Sequence, residues 1–235
     1  MSSHGEPRKV AMVTGAASGI GAAVSALLSE HGWRVAGVDL RKSASDLALI
    51  ADVTDRDALR EAVDSISREL GPIDLLITVA GYYEMVPVAE ITAQRWWRML
   101  EVHLGGTRNA CAAVLPEMLR RNSGQIITIS SELALGGGDG DAHYAAAKGA
   151  IIGFTKSLAV EVAGKGVRVN SVAPGPTDTP LLEADSPWRD PGFLGTLPLR
   201  RLVRPEEVAE AVLFLAEEGS YFCGQVVSPN AGAVI

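Results

Sequence analysis

Short apolar runs alternate with amphipathic stretches along most of the 235-residue chain. KVAMVT (9–14) predicts a buried strand, and GIGAAVSALLSEHG (19–32) a helix with a glycine stop. RVAGVD (34–39) and LALIAD (47–52) predict the next two strands. DRDALREAVDSISREL (55–70) predicts a helix closed by Gly71-Pro72, and DLLITVA (74–80) a strand. A long helical stretch from Thr92 to Arg121, interrupted at Gly105-Gly106, precedes the strand GQIITIS (124–130). A further helix begins near Tyr144, VRVNSVAP (167–174) reads as a strand, and PEEVAEAVLFLAEE (205–218) reads as a helix with proline at its start. GQVVSP (224–229) closes the series as a last strand.

Near-continuous Val/Ile/Leu strands between helices indicate a parallel sheet covered on both faces. The predicted class is α/β, a Rossmann-type doubly wound parallel sheet in a single domain. Residues 1–8 are expected to be a flexible tail and 9–235 the domain. Ligands of this architecture bind beyond the carboxyl ends of the strands, so the residues there become the candidates.

Composition narrows the function. Hydrophobic residues make up 47% and charged residues 21%, an ordinary globular balance. The net charge of −7 argues against a nucleic-acid partner. Two cysteines, Cys111 and Cys223, suit neither a disulfide framework nor a metal site, so no metal is expected. The opening MSSHGEPRK lacks the apolar core of a signal peptide, and no run approaches the ~20 residues that span a bilayer. The expected location is therefore the cytoplasm, with no membrane partner.

The first strand ends in TGAASGIG (14–21). A glycine-rich turn between strand and helix lets backbone N–H groups approach a pyrophosphate at a helix N-terminus. The spacing Gly15, Gly19, Gly21 is wider than the tighter G-x-G-x-x-G form. Asp39, ending the second strand, suits the ribose hydroxyls of an adenosine and would repel a 2′-phosphate; a surface cap is its bland alternative. Arg41 lies two positions on, so its side chain need not face the ribose. NAD(H) is therefore read over NADP(H).

DAHYAAAKGAIIGF (141–154) sets Tyr144 one helical turn before Lys148. A free tyrosine, with pKa about 10, is a poor base at neutral pH. A unit charge at ~4 Å, with an effective dielectric near 20, contributes about 4 kcal/mol, up to roughly 3 pKa units. Lys148 can supply that charge.

Taken together, these residues resemble the classical short-chain dehydrogenase/reductase family, from Val10 to about Gly232. TGAASGIG matches its T-G-x-x-x-G-x-G turn, placing Gly15, Ala17, Ser18, Gly19, Ile20 and Gly21 at the cofactor. YAAAK matches Y-x-x-x-K, and Ser131 falls thirteen positions before Tyr144, where the catalytic serine of the family falls. ADV (51–53) resembles the adenine frame through Asp52 and Val53. APGPTDTP resembles the segment that contacts the nicotinamide, here through Pro174, Gly175, Thr177 and Thr179. The resemblance implies a general acid/base at Tyr144, a ribose-holding lysine at Lys148 and a substrate-orienting serine at Ser131. It also implies assembly as a homotetramer or dimer, for which the tryptophans of RWWRML (95–100) suit an interface.

Two departures stand out. Where the family has N-N-A-G, this chain has TVAG; the backbone of Val79, Ala80 and Gly81 still passes the adenosine ribose, with fewer polar ties between strands. Where the family has its fourth catalytic residue, an asparagine, EVHLGG carries His103. His103 either replaces it in a proton relay, since imidazole donates and accepts, or packs as a core histidine. His143 reads as a loop or subunit contact.

The loop 131–143 and a lid at 181–199 are expected to form the substrate pocket, with Ser131, Leu133, Tyr82, Trp188 and Phe193 as contacts and Tyr83 and Met85 in the wall. Such walls suit a small alcohol or ketone, cyclic ones included. The alternatives are a dihydrodiol dehydrogenase of the dihydroxy-dihydrobenzoate type, a 3-oxoacyl reductase and, in another class, a non-catalytic NAD-sensing module. The last would be expected to lack Tyr144 or Lys148.

Overall fold

The computed structural model describes residues 8–235. The expected tail lies outside these residues except for Arg8, whose Nε donates to the Gly32 carbonyl at 2.8 Å. Seven parallel strands form one sheet: β1 (Val10–Thr14), β2 (Arg34–Asp39), β3 (Leu47–Ile50), β4 (Ile73–Thr78), β5 (Gly124–Ile129), β6 (Val167–Val172) and β7 (Val226–Val227), in the order 3-2-1-4-5-6-7. The order reverses between β1 and β4, which opens a crevice at their carboxyl ends.

Both faces of the sheet are buried, as the unbroken apolar strands require. Successive residues of β4 point to opposite sides: Leu76 joins Met12 and Ile126 in one core, while Leu75 and Ile77 join Val13 and Ile127 in the other. Each such side chain, removed from water, contributes about 1.5–3 kcal/mol.

Helix α1 (Gly19–Glu30) follows β1, and α2 (Arg56–Glu69) is capped by Asp55, whose carboxylate accepts from the amides of Asp57 and Ala58. α3 (Ala93–Leu100) runs through a π-turn (Glu101–Gly105) into α4 (Gly106–Arg121). The expected interruption at Gly105-Gly106 is therefore a widened turn, not a break. Gly106 serves a close approach: a Cβ there would stand 2.6 Å from Val53 Cγ2. A short helix α5 (Leu133–Gly136) precedes α6 (Ala142–Val162). The lid contains a 3-10 turn (Pro187–Arg189) and α7 (Pro191–Thr196), and α8 (Pro205–Glu217) packs on α1. β3 and β7 are shorter than their apolar runs. Ile50 at the exposed edge is 64% accessible.

The reduced polar ties at TVAG are supplied from elsewhere. Thr14 Oγ1 accepts from the amides of Val79 (3.1 Å) and Ala80 (3.3 Å), and Thr107 Oγ1 donates to Thr78 Oγ1 at 3.4 Å. No helix among the described residues is long and apolar enough to cross a membrane.

Candidate active site

The crevice holds one cleft of about 1440 Å³ that reaches from Asp39 and Asp52 to Tyr144 and Trp188. At one end the glycine turn is shaped by close approaches. Gly15 adopts φ +71°, and a Cβ there would come 2.7 Å from Ala80 N. A Cβ on Gly21 would collide with the Gly15 carbonyl, so Gly21 is an inward packing position and not part of the wall. Gly19, at φ +54°, faces Thr179. Ser18 caps α1 without a side-chain hydrogen bond to it, and no acidic residue lies in the first turn. This N-terminus suits an anion, and the bare glycine cradle fits a dinucleotide pyrophosphate.

Asp39 ties this turn to β2. Its Oδ2 accepts from Ala17 N and its Oδ1 from Arg41 N, both at 3.0 Å. Ala17 therefore meets the carboxylate through its backbone and does not line the cleft. Each carboxylate oxygen keeps a lone pair for a ribose hydroxyl. Arg41, exposed at the rim of the cleft, donates to Ser18 Oγ at 3.2 Å. Asp52 accepts from the amide and hydroxyl of Thr54, both at 2.8 Å. The amide bond, with the hydroxyl's help, keeps its pKa below the usual carboxylate value. The Val53 carbonyl is held by Asn109 Nδ2 at 3.0 Å.

β5 and α6 meet at the other end. They are joined by Ser130 Oγ donating to the Lys148 carbonyl (2.8 Å) and by the Thr128–Thr155 hydroxyl pair (2.7 Å). Ser131, Tyr144 and Lys148 are all buried. Lys148 Nζ donates to the Ile129 carbonyl at 2.9 Å and lies 5.6 Å from the centre of the Tyr144 ring. Burial pushes the lysine pKa down to about 8. The phenol of Tyr144 is pushed up, first by burial and then by the Glu132 carboxylate, while its hydrogen bond with Ser131 opposes the rise. Burial thus sets the direction of the shift, opposite to the one expected from an ammonium one turn along.

His103, carried by the π-turn, is buried beside them with its ring edge-on to Tyr144, centroids 5.4 Å apart. Nε2 lies 2.8 Å from the Tyr82 carbonyl and 3.3 Å from the Tyr82 amide. The shorter contact, to an acceptor, assigns the hydrogen to Nε2. Burial, reinforced by Lys148, holds the pKa of His103 well below its usual value, so the ring is neutral. His143 is buried and bonded to Glu84 at 3.1 Å, away from the cleft wall.

Trp188 of the lid donates from Nε1 to Tyr83 Oη, which donates to Asp141 Oδ1, both at 2.7 Å. Phe193 stands behind Trp188 at 4.8 Å and does not line the cleft, which corrects its expected substrate contact. Tyr82 and Leu133 do line it. Pro174, Gly175, Thr177 and Thr179 form the wall opposite, with Thr177 Oγ1 turned back to the Gly175 carbonyl at 2.7 Å. Among the cleft residues that the sequence did not single out are Arg41, at the wall, and Glu132, buried beside Ser131. Apolar patterning carries no signal for either.

A doubly wound sheet with a glycine turn, and a serine, tyrosine and lysine converging at the far end of one cleft, defines a nucleotide-dependent oxidoreductase. The family model for short chain dehydrogenases matches residues 9–190, and the chain belongs to that family. It is 36% identical, over 97% of its length and 98% of the relative's, to a 3-oxoacyl-acyl-carrier-protein reductase of Thermotoga maritima. It is 37% identical, over 95% and 96%, to cis-4-hydroxycyclohexanecarboxylate dehydrogenase of Sinomonas cyclohexanicum. The ligand-free structure of Thermoplasma acidophilum aldohexose dehydrogenase superposes with a TM-score of 0.89 at 30% identity, covering 96% of this chain and 93% of that one. The family uses NAD(P)(H) in general.

Proposed function

We propose that the protein interconverts a small, cyclic secondary alcohol and its ketone with NAD(H). The observation that carries this reading is the convergence of Ser131, Tyr144 and Lys148 in the same cleft as the glycine turn. A nicotinamide dinucleotide held by the glycine turn and Asp39 would supply hydride transfer at the carbinol carbon. Tyr144 moves the accompanying proton: its phenol, kept protonated by burial, donates to the oxygen in reduction, and its phenolate accepts the hydroxyl proton in oxidation. Lys148 brings the positive charge that favours the phenolate and is placed to hold ribose hydroxyls. Ser131 orients the substrate oxygen. His103 stands next to Tyr144, with Nδ1 a bare acceptor suited to hold a water of the proton relay.

The cyclic substrate is supported by aromatic walls at Tyr82, Tyr83 and Trp188 and by the relative named for a hydroxycyclohexane carboxylate. A dihydrodiol would fit the same walls. NAD(H) is supported by Asp39, with Arg41 as the opposing influence. A 3-oxoacyl thioester is the second reading, favoured by the Thermotoga relative. Arg95 and Arg98 stand at the cleft, but each is paired, with Glu84 at 3.8 Å and Glu101 at 3.2 Å. A sensing role without catalysis is disfavoured by the retained serine, tyrosine and lysine. An oligomer is supported by Trp97, 66% exposed beside an apolar hollow with Leu104 and Phe154, and the location proposed is the cytoplasm.

The test follows NADH absorbance with cyclic alcohols, dihydrodiols and 3-oxoacyl thioesters. Turnover of cyclic alcohols that Tyr144→Phe lowers by roughly 10²-fold or more supports the reading. Turnover of thioesters alone selects the second. NAD binding without turnover of any substrate selects the sensor.

A further inference from the structure

The position after the catalytic serine carries a carboxyl group that the mechanism above does not use. Glu132 is 5% exposed, and its Oε2 accepts the Ser131 hydroxyl at 2.8 Å. Its own amide donates to the Pro174 carbonyl at 3.0 Å, which fixes the turn between β5 and α5. Ser131 Oγ in turn accepts from Leu133 N at 3.1 Å, and its hydroxyl opposes the rise in the pKa of Tyr144.

A serine hydroxyl has one hydrogen and two lone pairs. With Glu132 ionised, that hydrogen is committed to Oε2. A ketone oxygen in the cleft then receives a hydrogen bond from Tyr144 but none from Ser131. With Glu132 protonated the direction reverses: the carboxyl O–H donates to Ser131 Oγ, and the serine hydrogen is free for the substrate.

We propose that Glu132 is a positioning residue that sets whether Ser131 donates to the substrate oxygen, so that carbonyl reduction is fastest when Glu132 carries a proton. The inference rests on the oxidoreductase reading and adds a residue to it. The surroundings make the exchange accessible near neutrality. Burial pushes the Glu132 carboxyl up to about 7, opposed by the Ser131 hydroxyl and the amides of Glu132 and Leu133, and assisted by the charge of Asp141. Tyr144 and Asp141 face it from α6 and its N-terminus, and the loop after β6 presents the Pro174 carbonyl. Glutamine keeps the shape and places an N–H donor where the protonated acid has its O–H.

Two measurements test this. The first is the pH profile of kcat/KM for reduction of a cyclic ketone by NADH, in the unaltered enzyme and in Glu132→Gln. The unaltered enzyme is expected to lose on the order of tenfold to a hundredfold through neutrality as one donor to the oxygen is withdrawn. Glu132→Gln is expected to hold the acid-side rate flat across that range. The second follows the carboxyl C=O stretch by difference infrared spectroscopy, which needs no turnover. A band that titrates near neutrality, and titrates at higher pH in Ser131→Ala, is expected. Superimposed profiles in an active enzyme overturn this inference alone, as does the absence of a titrating band. NADH binding without turnover of any substrate overturns the oxidoreductase reading and this inference with it.

Discussion

The imidazole of His103 occupies the volume that a side chain on residue 81 would need: a Cβ built on Gly81 would stand 2.7 Å from Nδ1 and closer still to Cε1. The ring packs against that glycine, the Tyr82 backbone and the edge of the Tyr144 ring. Gly81→Ala is therefore expected to cost on the order of 1–3 kcal/mol of stability through overpacking. In a His103→Ala background the same substitution should cost much less, and the coupling energy of the cycle should exceed about 0.5 kcal/mol. Urea unfolding of the four proteins measures it. Additivity would show that the ring moves aside. His103→Asn in turn is expected to change kcat and its pH profile; agreement with the unaltered enzyme within about twofold would leave His103 as packing alone.

Two buried groups of opposite charge type give the fold an unusual pH response. Lys148, lowered from 10.5 to about 8, sheds its proton in the folded state while the unfolded chain retains it. Stability from this residue therefore rises between about pH 8 and 10.5, by about 3 kcal/mol in total. Glu132, raised from 4.5 to about 7, binds a proton in the folded state that the unfolded chain has already lost. Its contribution is full below about pH 4.5 and is lost as pH rises through 7. Both groups are therefore at their least favourable between about pH 7 and 8. Lys148→Met is expected to stabilise the protein by a constant amount at every pH below about 8 and to remove the alkaline rise. Glu132→Gln should remove the decline on the acid side. Denaturant unfolding across pH checks both, and parallel curves for variant and unaltered protein would refute the assignment.

At the adenosine end, the roles proposed for Asp39 and Arg41 in cofactor choice oppose each other. Asp39→Ala removes a carboxylate that would repel a 2′-phosphate and leaves Arg41 beside Ser18 to meet one. The ratio of kcat/KM for NADP(H) over NAD(H) is expected to rise roughly 100-fold, the scale of a few kcal/mol for like charges brought together out of water. Asp39→Asn separates charge from hydrogen bonding, since the amide oxygen can still accept from Ala17 N. Arg41→Ala in the Asp39→Ala background should reverse most of the gain. No change in preference in any variant would remove Asp39 from the determinants.

The parts legible in the sequence share one property: local spacing determines them. Tyr144 and Lys148 meet because residues one turn apart share a helix face, and the glycine turn is read from strand, spacing and helix in succession. The buried strands announce themselves as unbroken apolar runs. What stayed hidden depends on contacts between distant segments. The sign of the shift on Tyr144 is set by burial and by Glu132, a residue twelve positions away whose own partner is Ser131. Gly105-Gly106 suggests a break only until Val53 is seen against Gly106. Phe193 and Trp188 are alike in a sequence, yet only the indole reaches the cleft because Phe193 lies behind it.

The segment proposed as a lid is tied to the start of α6 by one chain of side chains. Trp188 Nε1 donates to Tyr83 Oη, and Tyr83 donates to Asp141, which sits fully buried at the start of α6. Tyr83 also packs edge-on to Tyr144 at 5.1 Å, so the latch and the proton donor share a wall. Burial keeps the Tyr83 phenol above its ordinary value, with the bond to Asp141 adding to the rise, so Tyr83 remains a donor throughout the neutral range. Trp188→Phe deletes the first hydrogen bond while retaining an aromatic face. The net loss for such a bond is about 0.5–1.5 kcal/mol, which corresponds to a rise in KM of up to roughly tenfold. kcat should change little, because the phenol of Tyr144 keeps its neighbours. Tyr83→Phe breaks both bonds and leaves Asp141 buried without its donor, so it should raise KM further and also lower stability by about 1–3 kcal/mol. Steady-state kinetics with thermal unfolding separates the two. A fall in kcat at constant KM in Trp188→Phe would mean that the indole acts on the chemical step and not on closure.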